Sequence, residues 1–155
     1  MSGDWGFLGV VDFDRIVYSR APLRRQHLPI NKDPMPYVEI ISTYGGTDGY
    51  MLKAAVEHGA KGIVVQALGW GNVNPATSAA IKETIGKGIP VVITSRVPNG
   101  RVLPNYGYEG GGKVLADAGA VMGDDLSPQK ARILLLLLLQ NGVKGQPQLQ
   151  AAFSH

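Results

Sequence analysis

Short apolar runs alternate with amphipathic segments along the chain after residue 36. The apolar runs predict four buried strands, at residues 37–41, 62–65, 89–93 and 120–122. Helical spacing of apolar residues predicts helices at 48–58, 76–86 and 113–118, and another long helix after Ser127-Pro128. Continuously apolar strands separated by helices are typical of a parallel sheet that is covered on both faces. We therefore predict an α/β, flavodoxin-like, doubly wound three-layer domain with about four parallel strands.

The first part of the chain has a different pattern. Residues 1–25 contain two short apolar stretches on either side of a polar turn, which predicts a β-hairpin. Residues 26–36 carry three prolines among polar residues and predict a linker. Two strands alone are marginally stable in water, so we expect the hairpin to belong to a larger partner domain. The α/β domain is then predicted at 37–155.

Composition excludes several classes of protein. A chain of 155 residues that is 45% apolar suits one compact domain. The net charge is only +3 and the basic residues are mostly scattered, so we expect no nucleic-acid partner. The absence of cysteine excludes disulfides, thiolate zinc sites and cysteine nucleophiles. The apolar run at 133–139 is far shorter than the roughly 20 residues of a spanning helix, and we therefore expect no membrane segment.

Ligands of open parallel sheets bind outside the carboxyl ends of the strands, which here are the loops at 43–48, 67–74 and 94–112. In the first loop, Gly45-Gly46-Thr47-Asp48-Gly49 is either an anion-binding turn or a plain turn. We favour the plain turn, with Thr47 or Asp48 as the N-cap of the next helix.

The other two loops carry the remaining polar candidates. Gly69-Trp70-Gly71-Asn72 combines permissive glycines with a carboxamide, and Asn72 is either a ligand contact or an ordinary turn residue. Trp70 is equally a packing residue or a stacking platform. Glu109 lies among tyrosines and glycines at 106–112, a mobile segment able to form a lid or reach a neighbouring subunit. A solvent loop is the favoured interpretation of that segment.

No complete catalytic set is visible. The three histidines, His27, His58 and His155, lack metal-binding spacing and are expected at the surface. No nucleophile stands beside a base and an oxyanion site. From the residues alone we predict a ligand-binding α/β domain without metal or cofactor.

Several motifs carry a resemblance to a known family. These motifs are the strand at 59–65, Gly69-Trp70-Gly71-Asn72, Ser95-Arg96-Val97-Pro98-Asn99-Gly100 and Leu126-Ser127-Pro128-Gln129-Lys130-Ala131-Arg132. In content and order they resemble the C-terminal domain of bacterial-type L-asparaginases, the family that includes the glutaminase-asparaginases. The last motif resembles the family's L-N-P-Q-K-A-R helix start and is the most specific of the four.

The resemblance implies hydrolysis of an amino-acid side-chain amide through a threonine nucleophile and a covalent acyl intermediate. It places most of that machinery in a larger N-terminal domain, so Gly45-Gly46-Thr47-Asp48 imitates the family's nucleophile motif only by coincidence. It also implies that Asn72 and Glu109 help to hold the α-amino end of the substrate in a neighbouring subunit. Trp70 replaces the first Asn of the family's loop, so the resemblance leaves the substrate selectivity open.

The expected partners are L-asparagine or, as an alternative substrate, L-glutamine, further copies of the chain in a homo-oligomer, and the missing N-terminal domain. We expect the chain to be a C-terminal fragment that is inactive alone, and its compartment, cytoplasmic or periplasmic, stays open. The alternative is a stand-alone amino-acid-binding or dimerisation module. A third interpretation is a component of a transfer-RNA-dependent amidotransferase, although no basic RNA-facing extension is visible.

Overall fold

The computed structural model describes residues 6–21 and 26–154. The strands are β1 (Gly9–Val11), β2 (Ile16–Tyr18), β3 (Val38–Ser42), β4 (Gly62–Ala67), β5 (Val91–Ser95) and β6 (Val121–Met122). The helices are α1 (Tyr50–Glu57), α2 (Pro75–Gly86), α3 (Gly112–Asp117), α4 (Pro128–Gln140) and α5 (Gln146–Phe153). The predicted strands and helices are present, and only α5 has no counterpart in the sequence prediction.

The sheet contains four parallel strands in the order β3-β4-β5-β6. Because the chain crosses over in the same direction each time, α1, α2 and α3 lie on one face. Helices α4 and α5 follow the last strand and cover the opposite face. The predicted three-layer α/β fold is confirmed. The prediction of a doubly wound sheet was wrong, because the described strands follow one another in chain order without the reversal that defines such a sheet. The second face of the sheet is covered instead by the last two helices.

Alternate residues of each strand supply the two halves of the core. In β4, Ile63 and Val65 face α1, α2 and α3, whereas Val64 faces α4 and α5, and all three side chains are fully buried. This arrangement explains the unbroken apolar runs in the sequence, since both faces of each central strand are removed from water.

The helix ends follow local chemistry. Gly59 adopts a φ of +91° directly after α1, the left-handed conformation that commonly ends a helix. The side chain of Ser127 accepts a hydrogen bond from the backbone N–H of Lys130, and Pro128 begins α4. The N-cap of α1 is Gly49, so the prediction of Thr47 or Asp48 at that position was wrong. Asp48 instead accepts a hydrogen bond from the backbone N–H of Tyr50.

The leucine-rich run lies within α4. Leu135, Leu136, Leu138 and Leu139 are buried against the sheet or α5, while Ile133 is 52% exposed. The run therefore belongs to the core, as predicted. In the part of the chain that the structure describes, no helix combines the length and apolar character needed to cross a membrane.

Helix α5 was missed because only two of its side chains carry an apolar signal. Leu149 and Phe153, four residues apart, are buried among glutamines and alanines. The side chain of Gln150 accepts from the N–H of Met122 and donates to its carbonyl oxygen. This helix therefore pairs with the edge of the sheet beyond β6.

The hairpin and the segment 26–36, which precede the parallel sheet, differ in how they contact the rest of the chain. Strands β1 and β2 form the predicted antiparallel hairpin, and their apolar side chains, such as Val11 and Ile16, are exposed. The segment 26–36 contains no helix or strand and is tied to the α4 end, because Asn141 donates to Pro29 and Gln140 donates to Asp33. The division of the chain at residues 25 and 36 stays a prediction.

Candidate functional site

Three loops meet at the carboxyl ends of the parallel strands. The side-chain Nδ2 of Asn74 donates to the carbonyl oxygen of Thr47 at 2.6 Å and joins the loop after β3 to the loop after β4. The N–H of Val73 donates to the carbonyl oxygen of Gly110 at 2.9 Å and joins the second loop to the loop after β5. The sequence motifs at 45–49, 69–72 and 106–112 therefore lie in one connected surface.

Asn72 closes a tight turn. Its N–H donates to the carbonyl oxygen of Leu68 at 2.8 Å, and the N–H of Leu68 donates back to the carbonyl oxygen of Asn72 at 2.9 Å. Gly69 and Gly71 have φ of +51° and +102°, which non-glycine residues rarely adopt. The side-chain Oδ1 of Asn72 accepts a hydrogen bond from the N–H of Gly112 at 3.2 Å. The half-buried side chain is thus both part of the turn and a tie to the neighbouring loop.

The glycines of the third loop allow close backbone approach. A Cβ at Gly110 would collide with the carbonyl oxygen of Val73, and one at Gly111 with that of Tyr106. A Cβ at Gly112 would lie 2.7 Å from the carbonyl oxygen of Leu103. All three glycines are buried. The favoured interpretation as a solvent loop was wrong for these three glycines, because their backbone is packed against its neighbours, whereas residues 106–109 are exposed as that interpretation expects.

Glu109 points from this loop toward α2. Its Oε1 accepts from the Oγ of Ser78 at 2.6 Å, and its two oxygens accept from the Nζ of Lys82 at 2.8 and 3.0 Å. The hydrogen bond from Lys82, followed by that from Ser78, lowers the pKa of the Glu109 carboxyl below its ordinary value. Glu109 is therefore ionised at neutral pH and fixed in position. The carboxylate remains half exposed, so the pairing is screened by water.

An aromatic stack borders Asn72 and Glu109. The rings of Trp70 and Tyr106 stack with centroids 5.8 Å apart at 27°, and the ring of Tyr108 is 5.6 Å from that of Tyr106. Trp70 nevertheless remains 45% exposed. It packs on one side and presents the rest of the indole to the surroundings, so both of its predicted roles fit the geometry.

The sequence profile of the Glutaminase/Asparaginase C-terminal domain family matches residues 37–153. The chain belongs to this family. The match covers the whole parallel sheet, all five helices and the three loops described above. The predicted resemblance is therefore confirmed.

Curated relatives are similar over most of this asparaginase C-terminal domain. The L-asparaginase of Bacillus licheniformis is 34% identical over 141 residues, which are 91% of this chain and 44% of the relative. The probable L-asparaginase of Deinococcus radiodurans is 44% identical over 105 residues, 68% of this chain and 31% of the relative. A component of the Glutamyl-tRNA(Gln) amidotransferase of Methanosarcina mazei is 33% identical over 136 residues, 85% of this chain and 32% of the relative. The chain thus spans less than half the length of these relatives.

Thr47 has surroundings unlike those of an activated nucleophile. Its Oγ1 lies 3.0 Å from the Oγ1 of Thr77 and donates to the carbonyl oxygen of Tyr44 at 3.0 Å. Asn74 donates to the same hydroxyl oxygen at 3.2 Å. A nucleophilic hydroxyl needs a base within hydrogen-bond reach, and none of these hydrogen-bond partners is basic enough to remove its proton at neutral pH. The contacts instead connect the first loop to the start of α2.

Sequence reasoning missed Ser78 and Lys82, the residues that fix Glu109. They are four residues apart on α2 and therefore lie on one face of that helix. Ser78 is buried although polar, and Lys82 is half-buried. Their spacing was visible, but only the fold shows that this face meets the loop at 106–112. Of the predicted surface histidines, His27 and His58 are exposed, and His155 lies outside the described residues.

Proposed function

We propose that this chain is the C-terminal part of an amidohydrolase that converts L-asparagine and water to L-aspartate and ammonia. The names of the Bacillus licheniformis and Deinococcus radiodurans relatives support L-asparagine as the substrate. The name of another relative, the glutaminase-asparaginase of Pseudomonas fluorescens, keeps L-glutamine as a candidate second substrate. No cofactor enters the proposed reaction.

The observation that carries the proposal is the connected surface at the carboxyl ends of the strands. It fixes a carboxamide, Asn72, and an ionised carboxylate, Glu109, on adjoining loops. A carboxylate has about four acceptor positions, of which Ser78 and Lys82 use three. Glu109 therefore retains acceptor capacity for the α-ammonium group of an amino acid. We assign both side chains to the amino-acid end of the substrate, in the active site of a neighbouring subunit.

The nucleophile and its proton-transfer partners belong to an N-terminal domain outside this chain. The environment of Thr47 supports this assignment, because no described basic or acidic side chain is hydrogen-bonded to its hydroxyl. The chain alone is then inactive, and activity requires a homo-oligomer in which each C-terminal domain completes the site of a neighbour.

Substitutions at the two assigned residues test this function. The chain is co-expressed with the N-terminal portion of the Bacillus licheniformis L-asparaginase, and ammonia release from L-asparagine is measured. Glu109→Gln and Asn72→Ala should each raise KM on the order of tenfold with a smaller change in kcat, because a ground-state contact is lost. Lys113→Met, which breaks an exposed ion pair with Asp117 on α3, is the matched control. Unchanged KM values for both site variants would remove them from the substrate site.

The alternative is a stand-alone amino-acid-binding or dimerisation module. The observation in its favour is the core within residues 37–154, in which helices of the chain itself cover both faces of the sheet. Calorimetric titration of the chain alone with L-asparagine and L-aspartate separates the two functions. Micromolar binding to the isolated chain supports the module, whereas a composite site predicts weak binding or none.

Part of a transfer-RNA-dependent amidotransferase is the third candidate, supported by the name of the Methanosarcina mazei relative. The modest net charge of +3 argues against a transfer-RNA surface. A filter-binding assay with transfer RNA at physiological salt decides between this function and the first one.

A further inference from the structure

The backbone of β6, an outer strand of the parallel sheet, points two polar groups away from the sheet. In a parallel strand, the N–H and C=O of one residue point to the same side, and successive residues alternate between the two sides. The N–H of Gly123 donates to the carbonyl oxygen of Ile93 on β5, so the N–H and C=O of Met122 face outward. Outward backbone groups of this kind pair readily with a strand of another chain.

One side chain of α5 occupies both outward groups of Met122. The Oε1 of Gln150 accepts from the Met122 N–H at 2.8 Å, and its Nε2 donates to the Met122 carbonyl oxygen at 3.1 Å. A carboxamide carries the same donor and acceptor as a peptide group, so Gln150 takes the place of the peptide group of an adjoining strand. The Nε2 also donates to the Oγ of Ser154 at 3.1 Å, and the buried side chains of Leu149 and Phe153 hold the helix at this edge.

The opposite edge of the sheet, at β3, is closed in a similar way. The N–H of Thr43, directly after β3, donates to a carbonyl oxygen of β4, so by the same alternation Val38 and Ile40 face outward. The Nε of Arg132 on α4 donates to the carbonyl oxygen of Val38 at 2.7 Å. The Oε1 of Glu39 accepts from the N–H of Ile40 at 3.0 Å. The arginine that ends the most specific sequence motif therefore has its partner at the sheet edge.

The chain itself contains strands that are suited to an open edge. Strands β1 and β2 form a separate two-stranded sheet, so each has one side without a partner among the described strands. Their side chains include Val11, which is 82% exposed, and Ile16, and β-branched residues of this kind favour strands. Neither strand contains a charged residue, the feature that commonly protects an exposed edge. The hairpin of a second copy is therefore a fitting partner for an uncapped edge.

We propose that Gln150, Arg132 and Glu39 are edge caps that prevent the parallel sheet from pairing with the hairpin of a second copy. This inference does not depend on the proposed function. Without its cap, an outward N–H or C=O lacks a protein partner, and pairing with an added strand restores the hydrogen bond. The β6 edge depends most on its cap, because one side chain fills both groups of Met122.

The variant Gln150→Met tests the β6 edge in the full chain, because it removes the carboxamide and keeps a side chain of similar size. Its weight-average mass in sedimentation equilibrium should reach about twice that of the wild type or more. The amide proton of Met122 should exchange faster in dilute solution and regain protection on assembly. Gln148→Met, which places the same apolar side chain at an exposed position of α5, is the matched control and should keep the wild-type mass. An unchanged mass or unchanged Met122 exchange in Gln150→Met overturns the inference.

A second variant tests the β3 edge, and it keeps the inference open to refutation if α5 detaches in Gln150→Met, which circular dichroism would reveal. Arg132→Met should also raise the mass, but less, because Glu39 still occupies the N–H of Ile40. Arg132→Lys keeps a positively charged donor and should stay near the wild-type mass. Equal masses for Arg132→Met and the wild type would remove Arg132 from the caps.

A charge on the hairpin identifies the added strand. Val11→Lys is introduced into Gln150→Met, because a lysine on an exposed strand opposes pairing and this highly exposed side chain has little packing to lose. The double variant should return to the wild-type mass. A double variant that stays assembled contradicts the hairpin as the added strand.

Discussion

The parallel sheet and the loops at its carboxyl ends are held in place by different means. The sheet depends on apolar area, since Ile63, Val64 and Val65 are fully buried between helices. The loops depend on hydrogen bonds and on glycines that let two backbone segments approach closely, as at Gly110 and Gly111. The sheet therefore sets the stability of the domain, whereas the loops set the positions of Asn72 and Glu109. Substitutions in the two regions should separate these properties.

The largest effect on stability is expected in the core. Leu135→Ala removes a fully buried side chain that packs against β4 and should lower the free energy of unfolding by about 2–5 kcal/mol. Ile133→Ala, on the same helix but 52% exposed, should change it by less than about 0.5 kcal/mol. Urea unfolding followed by circular dichroism measures both. Equal losses in the two variants would contradict the assignment of stability to the buried face.

A methyl group in the third loop should act locally. Gly110 has a φ of +90°, and an added Cβ meets the carbonyl oxygen of Val73, so Gly110→Ala should cost about 1–3 kcal/mol. The Val73 N–H, which donates to Gly110, should lose its protection from hydrogen exchange while the β4 amides keep theirs. The control is Gly107→Ala, where a Cβ meets nothing within 4 Å. Retained protection at Val73 would show that the loop does not need its glycine.

Removing the cation that pairs with Glu109 should loosen the loop at only a small cost in global stability. Lys82→Met eliminates the only ion pair described for Glu109 but leaves the hydrogen bond from Ser78. We expect faster amide exchange over residues 106–112 and only a small fall in the urea midpoint, because the pair is partly exposed. Lys87→Met, which removes an exposed pair with Glu83 at the other end of α2, should leave loop exchange unaltered. Identical exchange profiles would remove Lys82 from the fixing of Glu109.

The smallest effect is a pH dependence of stability. Because the hydrogen bonds from Lys82 and Ser78 lower the pKa of Glu109, its folded-state pKa lies below the unfolded value, near 4.5. Its contribution is therefore complete above the unfolded pKa and is lost as pH falls through the lowered folded pKa. The wild type should exceed Glu109→Gln in stability by a constant amount near neutral pH, and the difference should shrink below pH 4.5. A difference that grows on acidification would reverse the assigned direction.

The sequence predicted the sheet well because its signal is local. Each buried strand is a continuous apolar run, and Ser127-Pro128 and Gly59 mark the ends of helices by their own backbone preferences. Helix α5 was not predicted because its burial depends on Leu149 and Phe153 alone, in a segment whose other residues are polar or small. The winding of the sheet was also missed, since strand order is set by long-range packing.

The candidate site could be predicted only in part, because some of its contacts also depend on long-range packing. The motif around Asn72 and the carboxylate of Glu109 were visible in the sequence, and their place at the carboxyl edge followed from the parallel sheet. The partners were not visible, since Ser78 and Lys82 lie 31 and 27 residues away from Glu109 and meet it only in the fold. The direction of the Asn72 amide likewise depends on Gly112, 40 residues further along.

Ammonia release from L-asparagine is the most direct test of the claim that this chain completes an active site. Three preparations are compared: the chain alone, the N-terminal portion of the Bacillus licheniformis L-asparaginase alone, and the two co-expressed. That N-terminal portion co-expressed with its own C-terminal part is the positive control. The account predicts activity only when both partners are present. Activity of the chain alone would contradict it and would direct attention to Thr47, and an inactive mixture beside an active positive control would contradict it as well.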